Sequence, residues 1–140
     1  MKPAFEMDHV VAFEETNLLG NVYYTNHIRW QGRCRELFLH EHAPEMLEEI
    51  QHGLVLVTLR VSCEYFHELA PFDHVRIRMQ LADLAPHRMT LQFDYLRIGP
   101  QGEERVARGE QELACMRRNG DKAEPERWPE SLRDALRPYL

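Results

Sequence analysis

The segment from Phe13 to Trp30 combines a glycine turn, short amide side chains and the predicted start of a helix. Gly20 allows the backbone to turn tightly, and Asn17 and Asn21 carry amides that both donate and accept hydrogen bonds. A helix N-terminus presents unpaired backbone N–H groups that stabilise developing negative charge. The tetrahedral intermediate formed when water attacks an acyl group needs such a pocket, together with a held water. An ordinary capped helix start explains the same residues equally well, so spacing alone does not decide.

The histidines and serines give weaker signals. Histidines in segments 40–42 and 67–74 lack the H-E-x-x-H spacing of a zinc site. Ser62 and Ser131 lack the G-x-S-x-G elbow of an α/β-hydrolase. We therefore predict no metal ion and no dissociable cofactor.

Cysteine and glutamate side chains offer three further candidates. Cys34 lies in the apolar stripe of a predicted helix, which favours a core thiol over a nucleophile. Glu36, on the same helix, and Glu64, at the end of a predicted strand, are candidate carboxylate bases.

Hydrophobic periodicity predicts the strands that would position these residues. Apolar and polar residues alternate with a period of two in segments 57–65, 74–81 and 88–95. In the first of these, the odd-numbered residues from Val57 to Tyr65 are predicted to share the buried face. A turn at 99–102 precedes another strand near 105–116, and segment 5–13 supplies a first strand.

One long helix is predicted at about Asn26–His42, followed by a short one at Pro44–Gln51. The apolar stripe of the long helix consists of Trp30, Cys34, Leu37 and Phe38. Gly32 costs this helix about 1 kcal/mol relative to Ala. Close approach of the helix to a sheet at Gly32 would compensate for that cost.

This order of elements predicts one α+β domain spanning residues 1–140, with 117–140 as a surface tail. Five antiparallel strands cannot cover a long helix on all sides. The remaining apolar surface predicts association of identical chains.

Composition excludes several classes of protein. The chain has 140 residues, of which 44% are hydrophobic and 29% charged, which is typical of a folded domain. The net charge of −6 opposes generic nucleic-acid binding. No stretch approaches the roughly 18 apolar residues of a membrane span, and segment 1–8 lacks the apolar run of a signal peptide. Three separated cysteines suggest free thiols, so we expect a cytoplasmic protein.

The helix-start segment resembles a known signature. In hotdog thioesterases of the 4-hydroxybenzoyl-CoA type, D-x-D-x-x-G-H-V-x-x-x-x-Y precedes the central helix. The positions that match this family are Phe13, Gly20, Val22, Tyr23, Tyr24, Asn26 and Trp30. The family pattern of strand, helix and four strands extends to about Met116. The resemblance implies a hotdog fold, in which a five-stranded antiparallel sheet wraps around a long central helix.

Three positions that depart from the signature indicate which subgroup of the family the chain resembles. The family's catalytic carboxylate corresponds to Asn17, its His after the glycine to Asn21, and its later Tyr to His27. An amide is neither a nucleophile nor a general base at neutral pH, so carboxylate catalysis at position 17 is excluded. The variant block 20–27, with segment 33–36, is similar to the enediyne polyketide thioesterases. That resemblance implies a catalytic role for Arg35.

The residue pattern by itself leaves the role of Arg35 open. Arg35 shares a helix face with Ile28, Gln31 and Leu39, so partial burial is expected. A solvated arginine, or one paired with a glutamate, would fit the same pattern. The resemblance favours a guanidinium that stabilises negative charge on the substrate.

The resemblance also implies a complete site. Asn17 and Arg35 would be catalytic, and the backbone of the turn would bind the thioester oxygen; that turn comprises Gly20, Asn21, Val22, Tyr23 and Tyr24. Substrate-binding residues would be His27, Trp30, Gln31 and Glu64. The substrate would be a β-keto polyene on the acyl carrier domain of an iterative enediyne polyketide synthase, and the released acid could decarboxylate. The oligomer would be a dimer with a continuous sheet, doubled to a homotetramer as a dimer of dimers, with sites at the dimer interface.

Two other functions fit the sequence. One is a general acyl-CoA thioesterase with Glu36 or Glu64 as base. The other is a non-catalytic hotdog protein that binds acyl chains or a carrier domain. Docking of an acidic carrier domain would use some of six arginines, although scattered solvated arginines explain them equally well. These are Arg60, Arg76, Arg78, Arg88, Arg117 and Arg118.

Overall fold

A computed structural model describes residues 2–140. The first half of the chain contains β1 (Phe5–Val10), a 3₁₀ turn (Phe13–Glu15), α1 (Thr25–His42) and α2 (Glu45–Gln51). The second half contains β2 (Leu54–Tyr65), β3 (His74–Leu84), β4 (Arg88–Gly99), β5 (Gly102–Asn119), β6 (Lys122–Pro125), α3 (Glu130–Leu136) and a final 3₁₀ turn (Arg137–Tyr139). Within residues 2–140 no helix is long and apolar enough to cross a membrane.

The sheet is antiparallel, with strand order β1-β3-β4-β5-β2. It curls around α1, which contacts β1, β2 and β3. The predicted α+β hotdog architecture is therefore confirmed. A short sixth strand, β6, pairs only with β5 through a hairpin turn in which Gly120 has a φ of +67°. That left-handed conformation favours glycine.

The core lies between α1 and the concave face of the sheet. Trp30, Cys34 and Phe38 form the stripe of α1 that faces the sheet, and at most 1% of each is exposed. Burial of such side chains stabilises the fold by roughly 1.5–3 kcal/mol each. Leu37, which the periodicity placed in this stripe, lies at its edge with 37% exposure.

A β-bulge in β2 overturns the predicted alternation of that strand. Thr58 pairs with Leu113 and Arg60 with Glu112, so Leu59 has no partner across the β2–β5 ladder. An extra residue exchanges the two faces of a strand. Accordingly, Leu54 and Leu56 contact the core before the bulge and Cys63 contacts it afterwards, whereas Leu59 is 43% exposed.

The prediction that residues 117–140 form a surface tail is wrong. Trp128, Leu132 and Leu136 are at most 3% exposed and belong to the core. The Trp128 indole N–H also donates to the Arg88 carbonyl at 3.2 Å. Leu132 and Leu136 lie four residues apart on α3, and Trp128 precedes that helix, so the segment packs on the core through all three side chains.

The expected close approach of α1 to the sheet occurs at a different glycine. A Cβ at Gly32 would meet no atom within 4 Å, so nothing packs closely there. A Cβ at Gly109, on β5, would lie 2.0 Å from the Gln31 side-chain nitrogen and 2.8 Å from the Ser62 carbonyl oxygen. The absence of a side chain on β5 therefore makes room for α1.

Candidate active site

A tight turn before α1 fixes the orientation of the Asn17 side chain. The Gly20 N–H donates to the Asn17 carbonyl at 3.0 Å, and Gly20 has a φ of +84°. The Asn17 N–H donates to the Asn21 carbonyl at 2.9 Å, which closes the turn. The Leu19 N–H donates to Asn17 Oδ1 at 2.8 Å. This bond orients the side-chain amide, whose NH₂ group can donate to a substrate and whose oxygen keeps one further acceptor position.

Glu15 anchors this turn to α1 through its side chain and its main chain. Its carboxylate accepts hydrogen bonds from the Ala12 N–H at 2.8 Å, the Trp30 indole N–H at 2.9 Å and His9 Nε2 at 2.7 Å. Its carbonyl accepts from the Asn26 side-chain amide at 2.9 Å. These bonds fix the loop that carries Asn17 against the first turns of the helix.

The Glu15 carboxylate that anchors the turn is ionised. Burial opposes its ionisation, but the hydrogen bonds from Ala12, His9 and Trp30 outweigh burial and lower the pKa of Glu15. Glu15 was not among the predicted site residues. A signal for it existed, because it occupies the position of the first Asp in the D-x-D signature.

A cavity of about 280 Å³ opens beside the N-terminus of α1. It brings together five of the predicted site residues: Asn17, Asn21, Val22 and Tyr24 of the turn, and His27 of the helix. The segment from Tyr65 to Leu69 forms its other wall. The predicted turn and the start of α1 therefore share one pocket.

The backbone amides of Val22 and Tyr23 do not face a substrate. The Val22 N–H donates to the Leu69 carbonyl at 2.8 Å, and the Tyr23 N–H donates to the Glu15 carbonyl at 2.9 Å. Tyr24 differs, because its N–H makes no backbone hydrogen bond to any of residues 2–140 outside α1. The N–H groups of Gly20, Val22 and Tyr23 are thus engaged within the turn region, and those of Asn21 and Tyr24 remain as candidate oxyanion donors.

His27 is a buried, neutral imidazole on the inner side of the same cavity. Only 4% of His27 is exposed. The centroid of its ring lies 4.7 Å from the ring centroid of Tyr65, 5.2 Å from that of Trp30 and 5.5 Å from that of Tyr95. Burial lowers the pKa of His27 to about 4. Its ring therefore contributes shape and an uncharged polar edge, and no positive charge at neutral pH.

Trp30 and Gln31, predicted to bind substrate, lie in the core instead. Both are 0% exposed. The Trp30 N–H is taken by Glu15, and the Gln31 amide donates to the Ser62 carbonyl at 3.1 Å. Their side chains support the site from behind, because α1 turns this face towards the sheet.

Arg35 lies in a second cavity, away from Asn17. The ten residues between Thr25 and Arg35 correspond to about 15 Å along the helix axis. The cavity around Arg35 measures about 730 Å³ and is mainly apolar, with walls from α1, α2 and β2. Burial lowers the pKa of Arg35 and Glu36 opposes this shift, but a guanidinium still remains protonated at neutral pH.

The two candidate carboxylate bases are both exposed. Glu36 lies at the rim of the Arg35 cavity, whereas Glu64 lies at the end of β2 near the Asn17 cavity. Neither lines the 280 Å³ cavity that contains Asn17. Within residues 2–140, no group of three or more His, Cys, Asp or Glu side chains is arranged to hold a metal ion.

Most of the chain matches one protein family. The family model of the thioesterase-like superfamily matches residues 11–136, which includes the cavity residues, Arg35 and α3. The chain belongs to the thioesterase-like superfamily. It is a thioester hydrolase, and the family match extends beyond residue 116 into α3.

Solved structures of other superfamily members superpose on the chain. The dynemicin thioesterase is 44% identical, with a TM-score of 0.94 and coverage of 98% of this chain and 97% of that chain. A 1,4-dihydroxy-2-naphthoyl-CoA thioesterase from Synechocystis is 14% identical, with a TM-score of 0.82 and 96% coverage of both chains. A 4-hydroxybenzoyl CoA thioesterase mutant complexed with 4-hydroxybenzoyl CoA is 16% identical, with a TM-score of 0.82, covering 98% and 99%. No curated protein matches the chain significantly in sequence.

Five of the six arginines considered for carrier docking are engaged with carboxylates in this thioesterase, whereas Arg118 lines the cavity around Arg35. Arg117 donates to both Glu126 and Glu49 and to the His52 carbonyl. The other pairs with N–O distances of at most 3.3 Å are Arg60–Glu110, Arg76–Asp8, Arg78–Glu6 and Arg88–Glu112. These side chains therefore do not form an uncompensated basic patch.

Proposed function

We propose that the chain hydrolyses a β-keto polyene acyl thioester held on the acyl carrier domain of an iterative enediyne polyketide synthase. The observation that carries this proposal is the amide at position 17, in a chain 44% identical to the dynemicin thioesterase. Crystal structures of that enzyme describe induced-fit and allosteric effects upon polyene binding. Three free cysteines fit a cytoplasmic setting.

Asn17 and Arg35 would act on the thioester carbonyl without a carboxylate base. The Asn17 NH₂ group and the Tyr24 N–H would donate hydrogen bonds to the carbonyl oxygen. The Arg35 guanidinium would stabilise the negative charge that develops when water attacks. The carbon–sulfur bond then breaks, and the carrier thiol leaves with a proton that originates from the water. The released β-keto acid can lose carbon dioxide because its ketone stabilises the enolate.

The apolar cavity beside Arg35 supports an extended acyl chain as the substrate. Leu39 and Leu56 belong both to this cavity and to a narrow inner one that reaches Met79 and Trp128. The inner cavity measures only about 20 Å³, so an apolar, unbranched polyene would be buried in the larger cavity beside Arg35.

The separation of Asn17 from Arg35 supports a site shared between two chains. Among residues 2–140, β2 pairs only with β5, so its outer edge has no partner strand there. A two-fold axis through the middle of β2 would bring Leu56, beside Arg35, opposite the partner's Cys63. Cys63 is two residues from Tyr65, which contacts His27 at the start of α1. Arg35 would thus approach the partner's Asn17 cavity in a dimer with a continuous sheet, which would double to a tetramer.

A mixture of two inactive variants tests the shared site. Asn17→Ala and Arg35→Ala homodimers should each be slow. After subunit exchange, half of the dimers would be mixed, and each would hold one intact site, so the mixture should recover about one quarter of wild-type activity. Native mass spectrometry would verify exchange. Exchange without any recovery would mean that each chain holds its own complete site.

Single-turnover hydrolysis tests the proposed substrate. We expect kcat/KM for a β-keto polyene on its carrier domain to exceed that for the same chain on CoA by about 10-fold, which corresponds to about 1.4 kcal/mol of carrier recognition. A saturated chain of equal length on the same carrier serves as control for the acyl group. Equal values for both thioesters would favour a general acyl-CoA thioesterase. Tight binding of the carrier-bound chain without release of acid would favour a binding protein.

A further inference from the structure

Arg35 is held by a chain of buried amides that crosses from α1 to the sheet. The Arg35 Nη1 group donates to Gln111 Oε1 at 2.9 Å, and Gln111 Nε2 donates to Gln31 Oε1 at 3.2 Å. Gln31 Nε2 then donates to the Ser62 carbonyl of β2 at 3.1 Å. Gln31 and Gln111 are 0% and 3% exposed.

Each of the two glutamine side chains accepts one hydrogen bond from the Arg35 side and donates another towards Ser62. Burial of two amides is costly unless they are paired, and two apolar side chains of similar shape would fill the same space without that cost. Packing alone therefore does not account for the two glutamines. What they provide is an acceptor for Arg35 at a fixed place on the sheet.

Gly109 makes room for this arrangement. The site of a Cβ on Gly109 lies 2.0 Å from Gln31 Nε2 and 2.8 Å from the Ser62 carbonyl oxygen, so any side chain would displace the last link. Residues from three elements, α1, β2 and β5, are thus fitted to one another around the amide chain.

The acceptor that this chain offers to Arg35 is neutral. Glu36 and His40 on α1 and Arg118 on β5 are the other titratable groups that line the Arg35 cavity. α2, β2 and α3 contribute only apolar side chains to the cavities around Arg35, including Leu47, Leu56 and Leu132. Arg35 Nε is buried without a hydrogen-bond partner among residues 2–140. The guanidinium is therefore oriented by an amide and keeps its positive charge for another group.

We propose that Gln111 and Gln31 are positioning residues that aim the Arg35 guanidinium at the substrate without neutralising it. This inference rests on the proposed role of Arg35 in thioester hydrolysis. It assigns a functional reason to two buried amides and to Gly109. A carboxylate at position 111 would still accept from Arg35, but it would compensate the charge of Arg35 and could not donate to Gln31 Oε1. An apolar residue would leave the guanidinium without an acceptor that orients it.

Two substitutions at position 111 separate orientation from charge. Gln111→Glu keeps an acceptor for Arg35, so the fold should persist, yet the single-turnover rate should fall roughly 10- to 100-fold because the charge is compensated. Gln111→Met should lower the rate about 10-fold through misplacement of the guanidinium. In both variants KM should stay within about 2-fold, because charge stabilisation acts in the transition state.

Matched variants complete the experiment. Gln92→Met makes the same replacement on the outer face of β4 and should keep the wild-type rate, and Arg35→Ala provides the reference loss. Gln31→Met, a second variant in case Gln111→Met does not fold, should also slow hydrolysis. Oligomer size and thermal unfolding would be measured for every variant. If Arg35→Ala is slow but Gln111→Glu and Gln111→Met match wild type, the positioning role is wrong and the proposed function survives. If Arg35→Ala itself matches wild type, both fail.

Discussion

Arg35→Ala is expected to slow single-turnover hydrolysis by roughly 10²-fold or more, the usual cost of losing a group that stabilises an oxyanion. The guanidinium is half-buried and bonded to the neutral Gln111, so its charge is not cancelled by that bond. Removal of the side chain leaves the charge of the tetrahedral intermediate without this partner. The measurement is the rate of acid release from one acyl thioester with enzyme in excess over substrate.

Variants of Glu36 and Glu64 decide whether the slower rate of Arg35→Ala reflects a mechanism without a carboxylate base. Glu36→Gln and Glu64→Gln should cost far less than the roughly 10²–10⁴-fold that follows removal of a general base. Arg33→Ala removes an exposed arginine from the same helix and should have little effect. Abolition of turnover by either glutamate variant, with Arg35→Ala near wild type, would replace the amide-and-arginine mechanism by carboxylate catalysis.

The part of the site that the sequence predicts well is the part made by local contacts. Asn17 Oδ1 accepts from the N–H only two residues away, so turn chemistry at Asn17 and Gly20 can be inferred from the chain itself. The partner of Arg35 lies 76 residues away, and no short-range pattern reports it. The family resemblance singled out Arg35 but did not reveal the amides that hold it.

The distinction between local and long-range contacts also explains which features of the fold the sequence predicts. Period-two alternation predicted the strands because it reflects one buried face, but the bulge at Leu59 exchanges the faces without changing the composition of β2. Trp30 matched a substrate-binding position by resemblance, whereas its burial depends on Glu15 and on strands far along the chain. Burial of a helix face therefore has to be read from tertiary packing.

The prolines of the C-terminal segment explain why its burial was not predicted from the sequence. Pro125, Pro129 and Pro138 suggested a loose surface tail, yet Pro129 directly precedes α3, a position that a fixed φ suits. Trp128 immediately before it is 1% exposed and contacts the inner apolar cavity that also includes Arg35. The segment thus closes the core behind the proposed acyl-chain site.

Trp128→Ala should lower the free energy of unfolding by about 3–5 kcal/mol, the range for removal of a buried aromatic side chain. The loss combines a cavity in the core with the broken hydrogen bond to the Arg88 carbonyl. Trp128→Phe keeps one buried aromatic ring but removes the N–H donor and part of the side-chain volume, so it should cost about 1–3 kcal/mol, since the Arg88 carbonyl is left without its partner. Urea unfolding at one fixed protein concentration measures both values, because the stability of an oligomer depends on concentration. A loss below about 1 kcal/mol for Trp128→Ala would fit a surface tail, and would contradict the closing role of α3.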